Sequence, residues 1–505
     1  MRPYVIDLKV LNKLSAGSRV RASAIASWGT AFFLAGSALA TPPPVPVVEE
    51  APPSGQQTNN PLTSFSGFVA QLRRSNYLLG DMWGLRPLLS KYGMTLSILE
   101  TSEVLGNATG AVRRGAAYDG LTQGVLQLDT QRAFQLYGGT FNVSGLQIHG
   151  DNLSAKNLYT LQTASGIEAD RATRLWELWY QQKFLPEDRL DVKIGQQSLD
   201  QEFMVSQNAG LFGNTMFGWP MLPSGDLPGG GPAYPLSALG VRLRGRPVNA
   251  LNILVGVFNG SPVLNNTGDP QRQNPSGANF PVNGGALAIA EIQYSYPSLG
   301  GMVYGSGSEP LGHVYRLGVW YDTENFADPE YDNTGLSLAN PRSTGIAASH
   351  SGDYSIYGVA DQMIWRDPKD EDGDRAISVF VRALGAPEED RNLIDFSMNA
   401  GLTFHEPIMH RNDDTCGIGM GYAKVGDHVA GLDKDTAFYT GTFSPVQTGE
   451  TFVEATYQYQ LTTWCQLQPD FQYVFNPGAG IANPNAPGQR VKNEVVLGLR
   501  MNVLF

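Results

Sequence analysis

Residues 453–475 read VEATYQYQLTTWCQLQPDFQYVF, and alternation governs them from end to end. Val453, Ala455, Tyr457, Tyr459 and Leu461 share one parity, against Glu454, Thr456, Gln458 and Gln460. After a break at Thr462–Thr463–Trp464, Leu467, Phe471, Tyr473 and Phe475 alternate with Gln466, Gln468, Asp470 and Gln472. A period of two belongs to a strand, so the segment reads as a hairpin with one apolar and one polar face. An apolar sheet face needs a cover, and nowhere does this chain supply a second layer to provide it.

The same pattern recurs along the chain. The last residues, VKNEVVLGLRMNVLF, put Val495, Leu497, Leu499, Met501, Val503 and Phe505 on one face and Glu494, Arg500 and Asn502 on the other. Alternating segments lie near 92–104, 120–128, 140–149, 172–184, 190–197, 236–246, 250–259 and 286–296. Others lie near 312–322, 353–366, 375–384, 393–405, 416–425, 451–461 and 465–475, which makes sixteen with the last. Helical periodicity is confined to short turns near 84–91 and 130–136. Short connections (185–189, 247–249, 462–464) alternate with long ones (198–235, 260–285, 323–352, 426–450), as outer-membrane barrels require and a soluble sandwich does not. The expected fold is therefore an all-β, sixteen-stranded antiparallel transmembrane barrel. Its apolar face meets lipid, where an Arg or Lys at mid-membrane would cost about 2–4 kcal/mol. Glu454, Asp470 and Arg500 all fall on the inward parity. Closure removes the exposed edges, and sixteen strands leave room for an aqueous channel.

Composition agrees. The 58 Gly, 21 Tyr and 22 Phe suit many strands and turns, and charged residues are only 16%. No window holds the roughly 20 apolar residues of a membrane helix. The mean hydropathy of -0.20 is equally that of a barrel whose lipid-facing and water-facing residues alternate. Lys9, Lys13, Arg19 and Arg21 precede ASAIASWGTAFFLAGSALA (22–40), a secretory signal with cleavage expected after Ala40. Residues 41–65 follow as a Pro-rich periplasmic linker, leaving 66–505 for the barrel and a short periplasmic lead-in. A net charge of -12 offers no basic patch for nucleic acid. Cys416 and Cys465 fall on strands separated by one other. At about 4.8 Å per strand step they would lie roughly 9–10 Å apart, beyond the ~7 Å reach of a disulfide, so both read as free thiols.

Within the strands, LGVRLRGRP (239–247) sets Leu239, Val241, Leu243 and Gly245 on one face and Arg242, Arg244 and Arg246 on the other. Three arginines on one strand face cannot point into lipid. They form either a cationic ladder in the lumen, donating to solute hydroxyls, or a rim cluster paired with carboxylates or lipopolysaccharide. The loop just before them, 198–235, carries Phe203, Phe212, Phe217, Trp219 and Tyr234. Exposed, it would be an aggregation hazard; folded into the barrel it would narrow the pore and offer aromatic faces to a sugar ring, or simply pack against the wall. Inward parity also selects Glu177, Trp179 and Lys183 on one strand and Arg316 and Trp320 on another.

Enzyme-like signals fail. HEPIMH (405–410) spaces its histidines five apart around Pro407, unlike a zinc helix. DPKDEDGD (367–374) would place Pro368 at the first position of a calcium loop, so it reads as a solvated turn. No nucleophile elbow is present, and neither a metal nor a cofactor is expected.

These residues resemble a known family. WGLRPLLSKYGM (83–94), GGTFNVSGLQIHG (138–150), WYQQKF (179–184), FGWPMLPSGDLP (217–228), ADQMIWR (360–366), GLTFHEP (401–407) and WCQLQPDFQYVFNPG (464–478) are similar to segments of the carbohydrate-selective porins of the OprB type. The resemblance implies an outer-membrane channel admitting glucose and related small neutral sugars by passive diffusion. It also implies a constriction built from an inward loop and charged and aromatic lumen residues. By that likeness Arg242, Arg244, Arg246 and loop 198–235 form the constriction, and Phe505 resembles the C-terminal aromatic read by the barrel-insertion machinery. Useful flux requires weak binding, so sugar affinity is expected to be in the millimolar range or weaker, a rough bound. A general or anion-selective porin would share every barrel feature, and the arginines even favour anions. Outer-membrane lipid and lipopolysaccharide are the expected surroundings; a homo-oligomer is compatible with the sequence, which does not specify one.

Overall fold

A computed structural model describes residues 75–264, 268–296, 311–368, 375–409 and 411–505. The signal segment, the whole Pro-rich linker 41–65, residues 66–74, His410 and all but the first two residues of DPKDEDGD lie outside them. Sixteen strands close into one antiparallel barrel. In chain order they are β1 Met94–Thr109, β2 Gly115–Asp129, β3 Gly139–Gly150, β4 Ala172–Phe184, β5 Leu190–Gln197, β6 Ala238–Val248, β7 Leu251–Asn259 and β8 Ala286–Tyr296. There follow β9 His313–Asp332, β10 Ala347–Arg366, β11 Ala376–Gly385, β12 Ile394–His405, β13 Thr415–Val425, β14 Gly449–Thr462, β15 Cys465–Phe475 and β16 Glu494–Leu504. Every segment that alternates in the sequence is a strand here.

The facing of the side chains follows the alternation. On β14 and β15, Leu461, Phe471 and Phe475 are exposed outward while Glu454, Gln468 and Gln472 are buried within. Along β6, Val241 and Leu243 face outward and Arg242 inward. One end of the barrel carries tight turns, such as 185–189 and Thr463–Trp464. The other carries the long connections 151–171, 198–237, 260–285 and 426–448. Cys416 and Cys465 are free, on β13 and β15 with β14 between them.

Three local departures have physical causes. Connection 323–352 is largely strand: β9 runs on to Asp332 and β10 starts at Ala347. This ribbon projects past the lipid band, so both its faces are polar and its alternation fades. Helix α4, Asp427–Thr440, interrupts the 426–450 connection. Numbering the α-helices of five or more residues in chain order, α1 is Leu85–Lys91, α2 Thr130–Phe134 and α3 Met221–Asp226. The sequence of α4, DHVAGLDKDTAFYT, has no apolar stripe to announce it, and polar contacts dock it instead. His428 Nδ1 lies 2.9 Å from Asp328 on β9, whose other oxygen is 3.1 Å from His350 Nε2 on β10. Third, the β3–β4 register slips between Ser144 and Gly145. The bulge turns Trp176 inward as well as Glu177, against strict alternation. Trp176 packs edge-on to Tyr234 of the long loop, ring centroids 6.1 Å apart.

The seam joins β1 to β16, with Glu103 opposite Arg500 and Leu99 opposite Leu504. α1 clamps it: Arg86 donates to Leu96 O at 2.6 Å and to the Phe505 carbonyl, and its guanidinium stacks 3.7 Å from the Tyr77 ring. Phe505 N donates to Ile98 O at 2.9 Å. At the same end the β12–β13 turn is held by Asp414. It accepts from Arg411 Nη2 at 2.8 Å, from Tyr457 Oη at 2.7 Å and from Gln460 N at 3.0 Å. Burial pushes the Asp414 carboxyl up, but the Arg411 guanidinium and the Tyr457 and Gln460 hydrogen bonds outweigh it and hold it below the ordinary aspartate range.

Two predictions follow from these clamps. Arg86→Ala removes two charge-assisted bonds to carbonyls at the seam, and we expect a loss of about 2 kcal/mol, read as a lower urea midpoint for the folded barrel. For Asp414, a depressed carboxyl stabilises above its unfolded pKa and stops doing so as pH falls through the folded value. Hydrogen exchange in the 406–414 turn should therefore stay slow at neutral pH and accelerate, beyond the intrinsic pH effect, only below the aspartate range; Asp414→Asn should abolish that pH step.

Candidate functional site

The long loop 198–237 does not leave the barrel; it crosses the lumen. Its aromatics are hidden, with Trp219 and Tyr234 both 0% exposed. Phe212 and Phe217 stack at 4.5 Å and meet Phe380 of β11 and Phe452 of β14. Aromatic packing alone would leave the loop's backbone unpaired inside the barrel, where each orphan group costs about 1–3 kcal/mol. Inward-facing side chains of the wall supply the partners. Glu454 accepts from Gly213 N at 2.6 Å and Asn214 N at 2.9 Å. Glu291 accepts from Met204 N at 2.8 Å. Asp361 accepts from the Ser206 hydroxyl at 2.6 Å and from the Asn208 side chain at 2.9 Å. Arg382, itself 0% exposed, donates to Met204 O at 2.8 Å, Gly218 O at 2.7 Å and Met216 O.

A second loop, 151–171, docks beside it. Glu450 accepts from Leu161 N at 2.9 Å and Gln162 N at 2.7 Å, and the two loops join through Gly166 N to Gly213 O at 2.7 Å. Together they form a shelf across the lumen, held by β8, β10, β11 and β14. Arg500, on the inward parity, is tied there to Glu103 at 2.8 Å.

The arginine strand stands across the lumen. Arg242 is buried and bonded to Asp191 of β5 and, through Nη2, to Glu202 of the loop at 3.1 Å. Arg244 donates to the second Asp191 oxygen at 2.6 Å while its side chain stays 36% exposed. Lys193 reaches Glu202 at 2.7 Å and lies 4.2 Å from the Trp179 ring, a cation–π contact. Gln181 donates to Asp191 at 2.9 Å. Arg246 sits apart at the turn end, bonded to the Glu187 carbonyl. The three arginines are thus divided, two paired within the lumen and one at the rim.

The remaining sequence candidates separate in the same way. Lys183 is a rim residue paired with Asp188 at 3.0 Å. Glu177 is buried and accepts from Ser198 N at 3.1 Å, fixing the start of the loop. Arg316 faces the lumen 3.7 Å from Glu291, which also accepts from Tyr357 at 2.9 Å. Trp219 donates to Gly230 O at 3.1 Å inside the loop, and Trp320 is 1% exposed in the wall. Neither presents a ring face to the passage, so both are packing residues in this structure, contrary to the expectation that they line the pore.

Below the shelf the wall carries amides instead of charges. Thr101 donates to Asn502 at 2.8 Å, Asn502 to Gln466 at 3.1 Å, and Gln127 to Asn142 at 3.1 Å. Sequence reasoning overlooked these, along with Asp191, Lys193, Glu202 and Arg382. Asp191 and Lys193 were within reach, since LDVKIGQQ places both on the inward parity.

A closed sixteen-stranded barrel, narrowed by inward loops and lined with polar side chains, defines a diffusion channel of the porin class. Residues 113–505 match the family model described as carbohydrate-selective porin, OprB family, and the chain belongs to that family. It is 24% identical over 458 residues to Porin B of Pseudomonas aeruginosa, covering 85% of this chain and 92% of that protein. The high-pH structure of OprB from Pseudomonas putida shares the fold with a TM-score of 0.73 at 23% identity, covering 85% of this chain and 99% of that one. The protein is an outer-membrane sugar-diffusion porin.

Because Arg382 holds three loop carbonyls, Arg382→Met leaves them without a donor. We expect a folded barrel in which the 204–218 segment becomes protease-sensitive and single-channel conductance rises.

Proposed function

We propose that solutes pass along the β4–β6 wall, over the surface that Arg244, Trp179 and the loop carboxylate Glu202 share, and that small neutral carbohydrates are preferred there. The observation that carries this is the pairing of the lumen charges. Arg242, Arg244 and Lys193 all pair with Asp191 or Glu202, so the wall offers many donors and acceptors and keeps only one positive charge in excess. An anion gains little from such a site, whereas a sugar's hydroxyls can bond to the exposed members of those pairs, Arg244 and Glu202. The amide-lined wall below the shelf has the same character. Glucose and related monosaccharides fit this reading, with weak, multi-site binding as useful flux demands. We read the chain as a passive channel and not an enzyme.

The wider assignment follows from the same reading. Residues 1–40 direct export with cleavage near Ala40, 41–65 form a periplasmic linker, and 66–505 form the barrel. Phe505 is presented to the insertion machinery before the seam closes over it, and lipid and lipopolysaccharide surround the finished wall. The tight turns then face the periplasm and the long connections the exterior.

Swelling of liposomes carrying the refolded protein tests the function in isosmotic glucose, a disaccharide and gluconate. Fast swelling in glucose alone is the expected result, with Arg244→Ala slowing it several-fold. Equal swelling in all three would establish a general porin, and faster gluconate an anion-selective one.

A further inference from the structure

Large apolar side chains cover much of the outward wall, among them Val255 on β7, Leu317 on β9 and Leu499 on β16. Across β12–β15 that cover has a gap. Two neighbouring outward rows run over these strands. Phe404, Cys416 and Tyr457 stand opposite one another in the first, and Leu402, Ile418, Ala455 and Phe471 in the second. Cys416 and Ala455 are the small members, and around them opens a groove of about 620 Å³ on the outside of the barrel. Its floor is the wall's own backbone. A Cβ at Gly417 would collide with Leu211 and Phe212 of the lumen loop, so that position belongs to the inner face. The closed ladder separates the groove from the passage.

Phe404 and Cys416 adjoin the tight turn 406–414, so the groove lies in the half of the wall next to the tight turns. There its mouth carries both signs of charge. Arg375 lies over the Phe404 ring, 5.6 Å from its centroid, and pairs with Asp367 at 3.3 Å. Arg411 lies 4.0 Å from the Tyr459 ring and pairs with Asp414, which accepts from Tyr457 of the groove at 2.7 Å. Asp413 beside it is exposed. The β10–β11 connection reads DPKDEDGDR, five acids to two bases. Tyrosine rings beside long cationic side chains are the groups that settle at the headgroup level of a bilayer.

We propose that this groove is a binding site for one phospholipid of the periplasmic leaflet, a zwitterionic lipid with a primary ammonium headgroup. An acyl chain lies over Cys416 and Ala455. The phosphate meets Arg375 and Arg411, and the ammonium meets the carboxylates that accompany them. The groove is continuous with a wall that lipid already covers, and its apolar interior suits a hydrocarbon chain and no polar partner. The mouth selects the headgroup: paired opposite charges match both ends of a zwitterion, whereas an anionic lipid would face a surplus of carboxylates. The choice of leaflet rests on the orientation proposed above, with the tight turns in the periplasm. It does not depend on which solute the channel passes.

Native mass spectrometry of the protein, extracted from outer membranes in a mild detergent, decides it. The chain should retain an adduct of phosphatidylethanolamine mass. After delipidation, phosphatidylethanolamine and phosphatidylglycerol offered together in equal amounts should be retained in a ratio of about fivefold in favour of the first. Ala455→Trp, which fills the groove, should abolish the adduct, while Val255→Trp on another part of the wall should leave it. Heat-modifiable migration checks that both variants fold, and the competition uses the unsubstituted protein, so it decides even where Ala455→Trp does not. No adduct, equal retention of the two lipids, equal behaviour of the two variants, or a lipopolysaccharide adduct in place of phospholipid would each overturn the proposal. Glucose-driven swelling of the same preparations reports separately on the channel.

Discussion

A bilayer core offers no partner for a backbone amide, and everything else in this molecule depends on that. Each of the sixteen strands must find both neighbours, so β1 must meet β16, and Arg86 and the backbone of Phe505 reinforce the place where they do. Once the ladder is closed, the only freedom left to a strand is which parity carries which chemistry. The alternation of Tyr457, Tyr459 and Leu461 with Gln458 and Gln460 is the direct record of a wall with lipid on one side and water on the other.

The same requirement acts again inside. A loop drawn into the lumen brings its own amides and carbonyls away from bulk water, and they too must be met. Glu454, Glu291, Asp361 and Arg382 meet them, which explains charged residues on strand faces that never touch solvent. Other inward charges pair side chain to side chain, as Asp191 does with Arg242 and Arg244. Lumen charge therefore has two uses here, one gripping loop backbone and the other pairing with opposite charge.

Strand positions were legible because a period of two persists wherever one face must be apolar. All sixteen segments emerged, and so did the inward folding of the aromatic loop, since Phe203, Phe212 and Phe217 had nowhere else to go. What stayed hidden lacked that constraint. α4 sits outside the lipid band and docks by Asp328 with His428, so no apolar stripe marks it. The Trp176 bulge breaks parity within a single strand. The partners of the arginine strand come from β5 and from Glu202 in the loop, and no local pattern in 239–247 points to them. Trp219 and Trp320 show the limit of reading aromatics by type: either could stack on a sugar, but in the folded chain both are enclosed.

The anchoring of the shelf has a consequence for how such a channel changes over time. Glu454, Glu291 and Arg382 grip the loop by its main chain, whose atoms are the same whatever residue stands there. Glu202 apart, which also pairs with Arg242 and Lys193, the loop's side chains that border the passage can be exchanged without loosening its hold on the wall. Solute preference and mechanical integrity are in this way written in different atoms, and one is open to drift while the other stays fixed.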